Sequence, residues 1–126
     1  MDGHVVTPNK ELAAKVLRQI TEHPETHDQE VWFEQNEGGR GFCNTVGEVR
    51  DVGTCGTVGC VAGWAVALHY ADKKRVLDSN ELLGDAGSRL LRLSWDDAEW
   101  LFYDRRTHDE VVEALQRIVD GKPVRP

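Results

Sequence analysis

Apolar residues recur at helical spacing along most of this chain. Leu12, Ala13, Val16, Leu17 and Ile20 share one helix face. Thr7-Pro8 predicts the start of that helix, with Thr7 as N-cap and Pro8 where a missing N–H costs nothing. His23-Pro24 predicts its end, because the residue before a proline avoids the helical region. A second helix is predicted over residues 57–70, capped by Thr57, with Val58, Val61, Ala62, Ala65, Val66 and Leu68 distributed over several faces. That distribution makes it the most buried helix. Its Gly59/Gly63 pair clears one stripe for another backbone, at about 1 kcal/mol per glycine in helix propensity. Asp78-x-x-Glu81 predicts a capped third helix carrying Leu82, Leu83, Ala86, Leu90 and Leu91. Ser94-x-x-Asp97 starts a fourth, with Leu93 placed to staple against Ala98. Thr107-x-x-Glu110 starts a fifth, with Val111, Val112, Leu115, Ile118 and Val119 apolar and Gly121 as its stop.

Residues 29–53 break this pattern. Val31, Trp32 and Phe33 favour strand, residues 37–41 form a glycine-rich turn signal, and residues 42–46 and 48–52 read as further short strands around Gly47. The expected fold is therefore α+β and mostly helical, with about five helices, helix 57–70 at the centre and a small antiparallel hairpin within 29–53. No other part reads as sheet. Residues 1–126 are expected to form a single domain, with the proline- and cation-bearing tail 122–126 frayed. Gly59, Cys60 and Gly63 must be buried if this architecture holds.

Charge narrows the function classes. Fifteen Lys and Arg against 22 Asp and Glu give a net charge of −7, which argues against nonspecific affinity for nucleic acid or anionic membranes. The acidic residues are scattered rather than banked in one run, which favours solubility over a nucleic-acid mimic or a ligand for a basic partner as the reason for the charge. The longest apolar run, Val58 to Leu68, is too short to cross a bilayer. No cationic segment followed by an apolar core opens the chain, so cytoplasmic residence is expected. Residues 86–102 imitate a helix-turn-helix, but the second helix would bring Asp96, Asp97 and Glu99 to the phosphates. Neither nucleic acid nor membrane is expected as a partner.

An ordered series of short motifs runs through the chain: Ile20-x-x-His23-Pro24-Glu25, Asp28-Gln29, Cys55-Gly56-Thr57-x-x-Cys60-x-Ala62-Gly63-Trp64-Ala65, Leu90-Leu91-x-Leu93 and Ala98-x-x-Leu101-Phe102. This series, over residues 17–119, resembles a group of small uncharacterised proteins of actinobacteria and their phages. The Cys-Gly-Thr-x-x-Cys-x-Ala-Gly-Trp block is its specific part. Arg92 departs from the resemblance, since related chains often carry glycine there. The resemblance implies such a source, with the host cytoplasm as the location of a phage product, and it carries no activity.

The cysteine block admits two readings. Cys60 is expected in the first turn of helix 57–70, where the helix dipole favours a thiolate, so Cys55 and Cys60 are the candidates for a cysteine-dependent enzyme. Cys55-Gly56-Thr57 loosely resembles the papain-like Cys-Gly-Ser-Cys-Trp start, but tryptophan here lies four residues past Cys60. No strand is expected after Tyr70 to supply the histidine of such an enzyme. His23, His27, His69 and His108 are possible bases without a recognisable setting. A thiol–metal site would draw on Cys43, Cys55 and Cys60 with His23 or His27, at spacings unlike paired zinc knuckles. His69 is too far along the same helix from Cys60, about 13 Å at 1.5 Å per residue, to share an ion with it. The favoured reading is structural: Thr57, Gly59, Cys60, Gly63 and Trp64 form a tight helix contact, with no metal and no cofactor.

Trp95 and Trp100 are five residues apart and cannot share one helix face, so one of them is left near the surface. With Tyr103, Arg105 and Arg106 they combine aromatic area and cations, the residue types enriched where proteins bind. The expected function is a non-enzymatic, phage-type accessory protein working through this corner on a protein partner, host-encoded or a second copy of itself.

Overall fold

The computed structural model describes residues 7–35, 41–43, 45–46, 57–71 and 80–125. Five helices are present among them: α1 (Lys10–Glu22), α2 (Val61–His69), α3 (Leu83–Leu91), α4 (Trp95–Leu101) and α5 (His108–Val119). The described strands are β1 (Phe33–Gln35), β2 (Gly41–Phe42) and β3 (Thr57–Gly59), all antiparallel, in the order β2-β1-β3. The fold is α+β and mostly helical, as the sequence pattern implied. No described helix is long and apolar enough to cross a membrane.

Helix α2 is the most buried element. Every residue from Val61 to Ala67 is inside, consistent with apolar positions on several faces. Helices α1, α3 and α5 each present one apolar stripe to the shared core, for example Leu12, Ala13, Val16 and Ile20 from α1. Gly87 lets α3 approach α2: a Cβ there would lie 2.8 Å from the Ala62 Cα.

The glycine stripe receives a strand rather than a helix. A Cβ on Gly59 would stand 2.5 Å from Phe33 Cδ1, and one on Gly63 would collide with the Trp32 carbonyl oxygen. Gly59, Cys60 and Gly63 are all buried, so the architecture passes its own test.

Several boundaries differ from the sequence reading. Thr57 is not an N-cap. Thr57–Gly59 pairs with β1 in the register Phe33↔Gly59, Glu34↔Val58, Gln35↔Thr57, and the helix begins four residues later with Cys60 as its N-cap. The pairing gives backbone groups of residues 57–59 partners that a helix start would leave open. Helix 57–70 is thus shortened to Val61–His69, and the hairpin of β1 and β2 becomes a three-stranded sheet; residues 36–40 and 48–52 lie outside the described residues.

Asn9, not Thr7, caps α1. Its Oδ1 accepts from the Leu12 N–H at 3.1 Å, while its backbone N–H and Nδ2 donate to the carbonyls of Leu91 (2.8 Å) and Leu90 (3.1 Å). One side chain therefore closes the start of α1 and the end of α3. Asp78 lies outside the described residues, and α3 starts at Leu83 without a side-chain cap. Glu81 instead grips Arg89 through both carboxylate oxygens, at 2.7 and 3.0 Å, which holds its carboxyl below the usual range.

The starts of α4 and α5 follow the sequence signals. Ser94 Oγ accepts from the Asp97 N–H at 3.2 Å, and Thr107 and Glu110 form a reciprocal capping box. Gly121 ends α5 at φ +76°. The segment after it, expected to fray, folds back: Val124 is buried and Arg125 Nε lies 3.0 Å from Asp97 Oδ1. Burial of one valine and an ion pair to α4 hold it there.

Candidate functional site

Trp32 sits immediately before β1, and alternation along the extended chain sends Phe33 inward and Trp32 outward. Phe33 meets Trp64 edge-to-face at 5.1 Å between ring centres. The backbone of Trp32 is fixed from below. Its carbonyl accepts from the Cys60 N–H at 3.3 Å and from the Cys60 thiol at 3.5 Å, over the bare Gly63. Its indole lies on α3 at Gly84, where a Cβ would come within 2.9 Å of the ring. Even so, 43% of Trp32 remains exposed.

Across from it stands α4. Trp95, its first residue, is 75% exposed, and Tyr103, two residues past its last turn, is 49% exposed. With Phe102 these rings line one concavity of about 560 Å³ between residues 29–32, α3 and α4. Three of the four large hydrophobic side chains exposed among the described residues meet in this groove. Glu30, Asp85, Glu99 and Asp104 also line it, all exposed, and no Lys or Arg does so among the described residues.

The surface expected from sequence is divided by this geometry. Trp95 and Tyr103 share the groove. Trp100 and Arg106 face another shallow depression, on which Tyr103 also borders. Trp100 is half-buried against the core, its ring covered by the Arg106 guanidinium at 3.9 Å and its carbonyl bonded by Arg106 Nε at 3.0 Å. Arg106 also pairs with Glu110 at 3.5 Å, so this cation is already engaged within the chain. Arg105 is exposed and lines a neighbouring depression that also holds Asp104 and Glu30. The sequence gives no sign that Trp32 would reach Gly84; strand alternation could only have set it on the face opposite Phe33, without saying which face is outside.

Among the described residues of the cysteine block, Cys60, Gly63 and Trp64 are all packed inside. Cys60 is buried, and its N–H donates to the Val31 carbonyl at 2.8 Å. Burial pushes its thiol up to about 11, although N–H groups at the start of α2 pull the other way. At neutral pH it is a thiol, not the thiolate that nucleophilic chemistry needs. Trp64 is fully buried and donates its indole N–H to the Thr26 carbonyl at 2.8 Å. Cys43 is buried as well, and Cys55 lies outside the described residues. Among the described residues no three His, Cys, Asp or Glu side chains converge as metal ligands.

A polar relay ties this region to α5. Gln29, buried, donates to the Leu101 carbonyl at 2.6 Å, so its Oε1 must accept from His27 Nε2 at 3.0 Å. A neutral His27 then presents Nδ1 as acceptor to His108 Nδ1 at 2.7 Å. Burial holds His27 below its ordinary value, aided by the neighbouring His108 and opposed by the Gln29 hydrogen bond and Asp28. Neither His23 nor His27 forms a described contact with Cys60 that would make it a base for that thiol.

Compared with known proteins, the chain matches no family model, no curated protein and no solved structure.

Proposed function

We propose that this chain is a non-enzymatic accessory protein that acts by binding another protein through the groove of Trp32, Trp95 and Tyr103. The observation that carries the reading is the gathering of three exposed aromatic rings in one concavity. Contiguous exposed apolar area of this kind marks interaction sites, whereas single exposed residues do not. Trp and Tyr are also the side chains on which binding energy concentrates. Trp100, Arg105 and Arg106, part of the surface read from sequence, move to its flank. The resemblance of the Cys55–Ala65 block to small proteins of actinobacteria and their phages favours a phage product and a host-encoded partner in the host cytoplasm; a second copy of the chain is the other candidate. The buried, un-ionised Cys60 weighs against thiol chemistry.

The test is Trp95→Ala. With three-quarters of its surface in solvent, Trp95 contributes little to the core, so the melting temperature should stay within about 2 °C of wild type. Capture of host proteins from an actinobacterial lysate, quantified by mass spectrometry, should show a partner enriched by wild type and lost with the variant. Sedimentation velocity reads self-association in the same pair. Identical capture and identical sedimentation by both proteins would remove the groove as the functional surface.

A further inference from the structure

We infer that the groove takes a cationic, partly apolar segment of a protein partner, with an arginine or lysine stem lying on the aromatic floor and its charge among the rim carboxylates. This rests on the groove being the binding surface proposed above, and adds the chemistry of its occupant.

The charge distribution around the groove is one-sided. Trp32, Trp95, Phe102 and Tyr103 supply the apolar floor, and Glu30, Asp85, Glu99 and Asp104 supply four exposed carboxylates. Lys and Arg are missing from its lining among the described residues. Of the two arginines of the corner, Arg106 is turned onto Trp100, with the Tyr103 ring at 5.3 Å, and is paired with Glu110, and Arg105 belongs to the adjoining depression, which Glu30 and Asp104 also line. Described ion pairs elsewhere join Glu81 to Arg89, Asp97 to Arg125 and Glu113 to Arg117. Rim carboxylates facing aromatic rings suit one class of side chain best: a long aliphatic stem that packs on rings and a cationic head that meets both their faces and the acids. An acidic segment would be repelled, and a wholly apolar one would bury rim carboxylates without a partner.

The occupant can be tested with two capped pentapeptides, one alternating arginine and leucine, the other carrying uncharged citrulline at each arginine position. Their binding is read from the indole N–H signals of Trp32 and Trp95 by NMR. The arginine peptide should shift both signals saturably and bind about threefold or more tightly than its citrulline twin, the size expected where two or three exposed ion pairs form. Raising salt should narrow that difference. The double variant Asp85→Asn, Glu99→Gln should weaken the arginine peptide several-fold and leave the citrulline peptide unchanged, while Trp95→Ala should weaken both. Equal, Trp95-dependent binding of the two peptides would overturn the cationic occupant and leave the groove standing as a protein-binding surface. Arginine-peptide binding that ignores Trp95→Ala would overturn it in favour of diffuse attraction to an acidic surface. If neither peptide binds at Trp95, both the occupant and the groove fall together.

Discussion

Gly63→Ala sets two effects of opposite sign against each other. Helix propensity alone says that alanine inside α2 should stabilise the protein by about 1 kcal/mol. The structure says otherwise, because the new Cβ would collide with the Trp32 carbonyl, with Phe33 Cδ1 also close at 2.9 Å. That neighbour is backbone and cannot swing aside as a flexible side-chain end would. Overpacking of a close contact costs about 1–3 kcal/mol. Moving Trp32 also strains the hydrogen bonds from Cys60 N–H to Val31 and Trp32, each contributing about 1 kcal/mol net. Subtracting the propensity gain leaves a loss of about 2–4 kcal/mol, or about 6–16 °C in melting temperature for a domain of this size. Urea denaturation followed by far-UV circular dichroism measures the first, and thermal melting the second. Because Trp32 reaches the groove, its fluorescence should change together with stability. A Gly63→Ala protein as stable as wild type, or more so, would refute the packing of the β1 approach against α2.

Arg92→Gly should move stability the other way. Helices α3 and α5 end in the same Schellman arrangement, with Leu93 N–H bonded to Ser88 O and Lys122 N–H bonded to Arg117 O, but the left-handed residue is Gly121 in one and Arg92 at φ 56° in the other. Relief of the side-chain strain, offset by glycine's greater freedom in the unfolded chain, should raise stability by about 0.5–1 kcal/mol, seen as a higher urea midpoint; a lower midpoint would contradict it. Acid should weaken the fold through His27. Its native affinity for a proton is lowered, so the unfolded chain takes up protons first: stability is full above about pH 6.5 and declines as pH falls from there toward the lower native value. Urea midpoints at pH 7.5 and 5.5 should differ in that direction, and His27→Gln should shrink the difference; an unchanged slope would show that the His27–His108 pair is not the source.

Local signals were legible and long-range partners were not. Ser94 and Thr107 cap α4 and α5 because each motif needs only four consecutive residues to satisfy its own hydrogen bonds. Thr57-x-x-Cys60 resembles such a start, yet Thr57–Gly59 pairs instead with Phe33–Gln35, over twenty residues earlier in the chain. Val58 and Thr57 are β-branched and suit either fate; the available strand edge decided it. Asn9 illustrates the same limit, since its preference over Thr7 depends on the carbonyls of Leu90 and Leu91 arriving from the other half of the chain. At the groove, the five-residue offset of Trp95 and Trp100 correctly separates an exposed ring from a half-buried one. It says nothing of Trp32, whose neighbour Gly84 is distant in sequence.

The most distinctive block of the sequence and the proposed binding groove are joined through a single peptide. Cys60 bonds the carbonyls of Val31 and Trp32, Gly63 leaves the space that the Trp32 carbonyl occupies, and Trp64 anchors Thr26 and stacks edge-on to Phe33. Together they fix residues 26–33 on α2, while Gln29 ties the same segment to the end of α4 through Leu101. A larger side chain at 60 or 63 would lift that segment, and a smaller one at 64 would leave the Thr26 carbonyl without its donor. The block therefore has a physical reason for its small-small-large composition that needs no thiol chemistry. Its effect on function would run through the position of Trp32, the one groove ring that lies neither in α4 nor in the two residues after it.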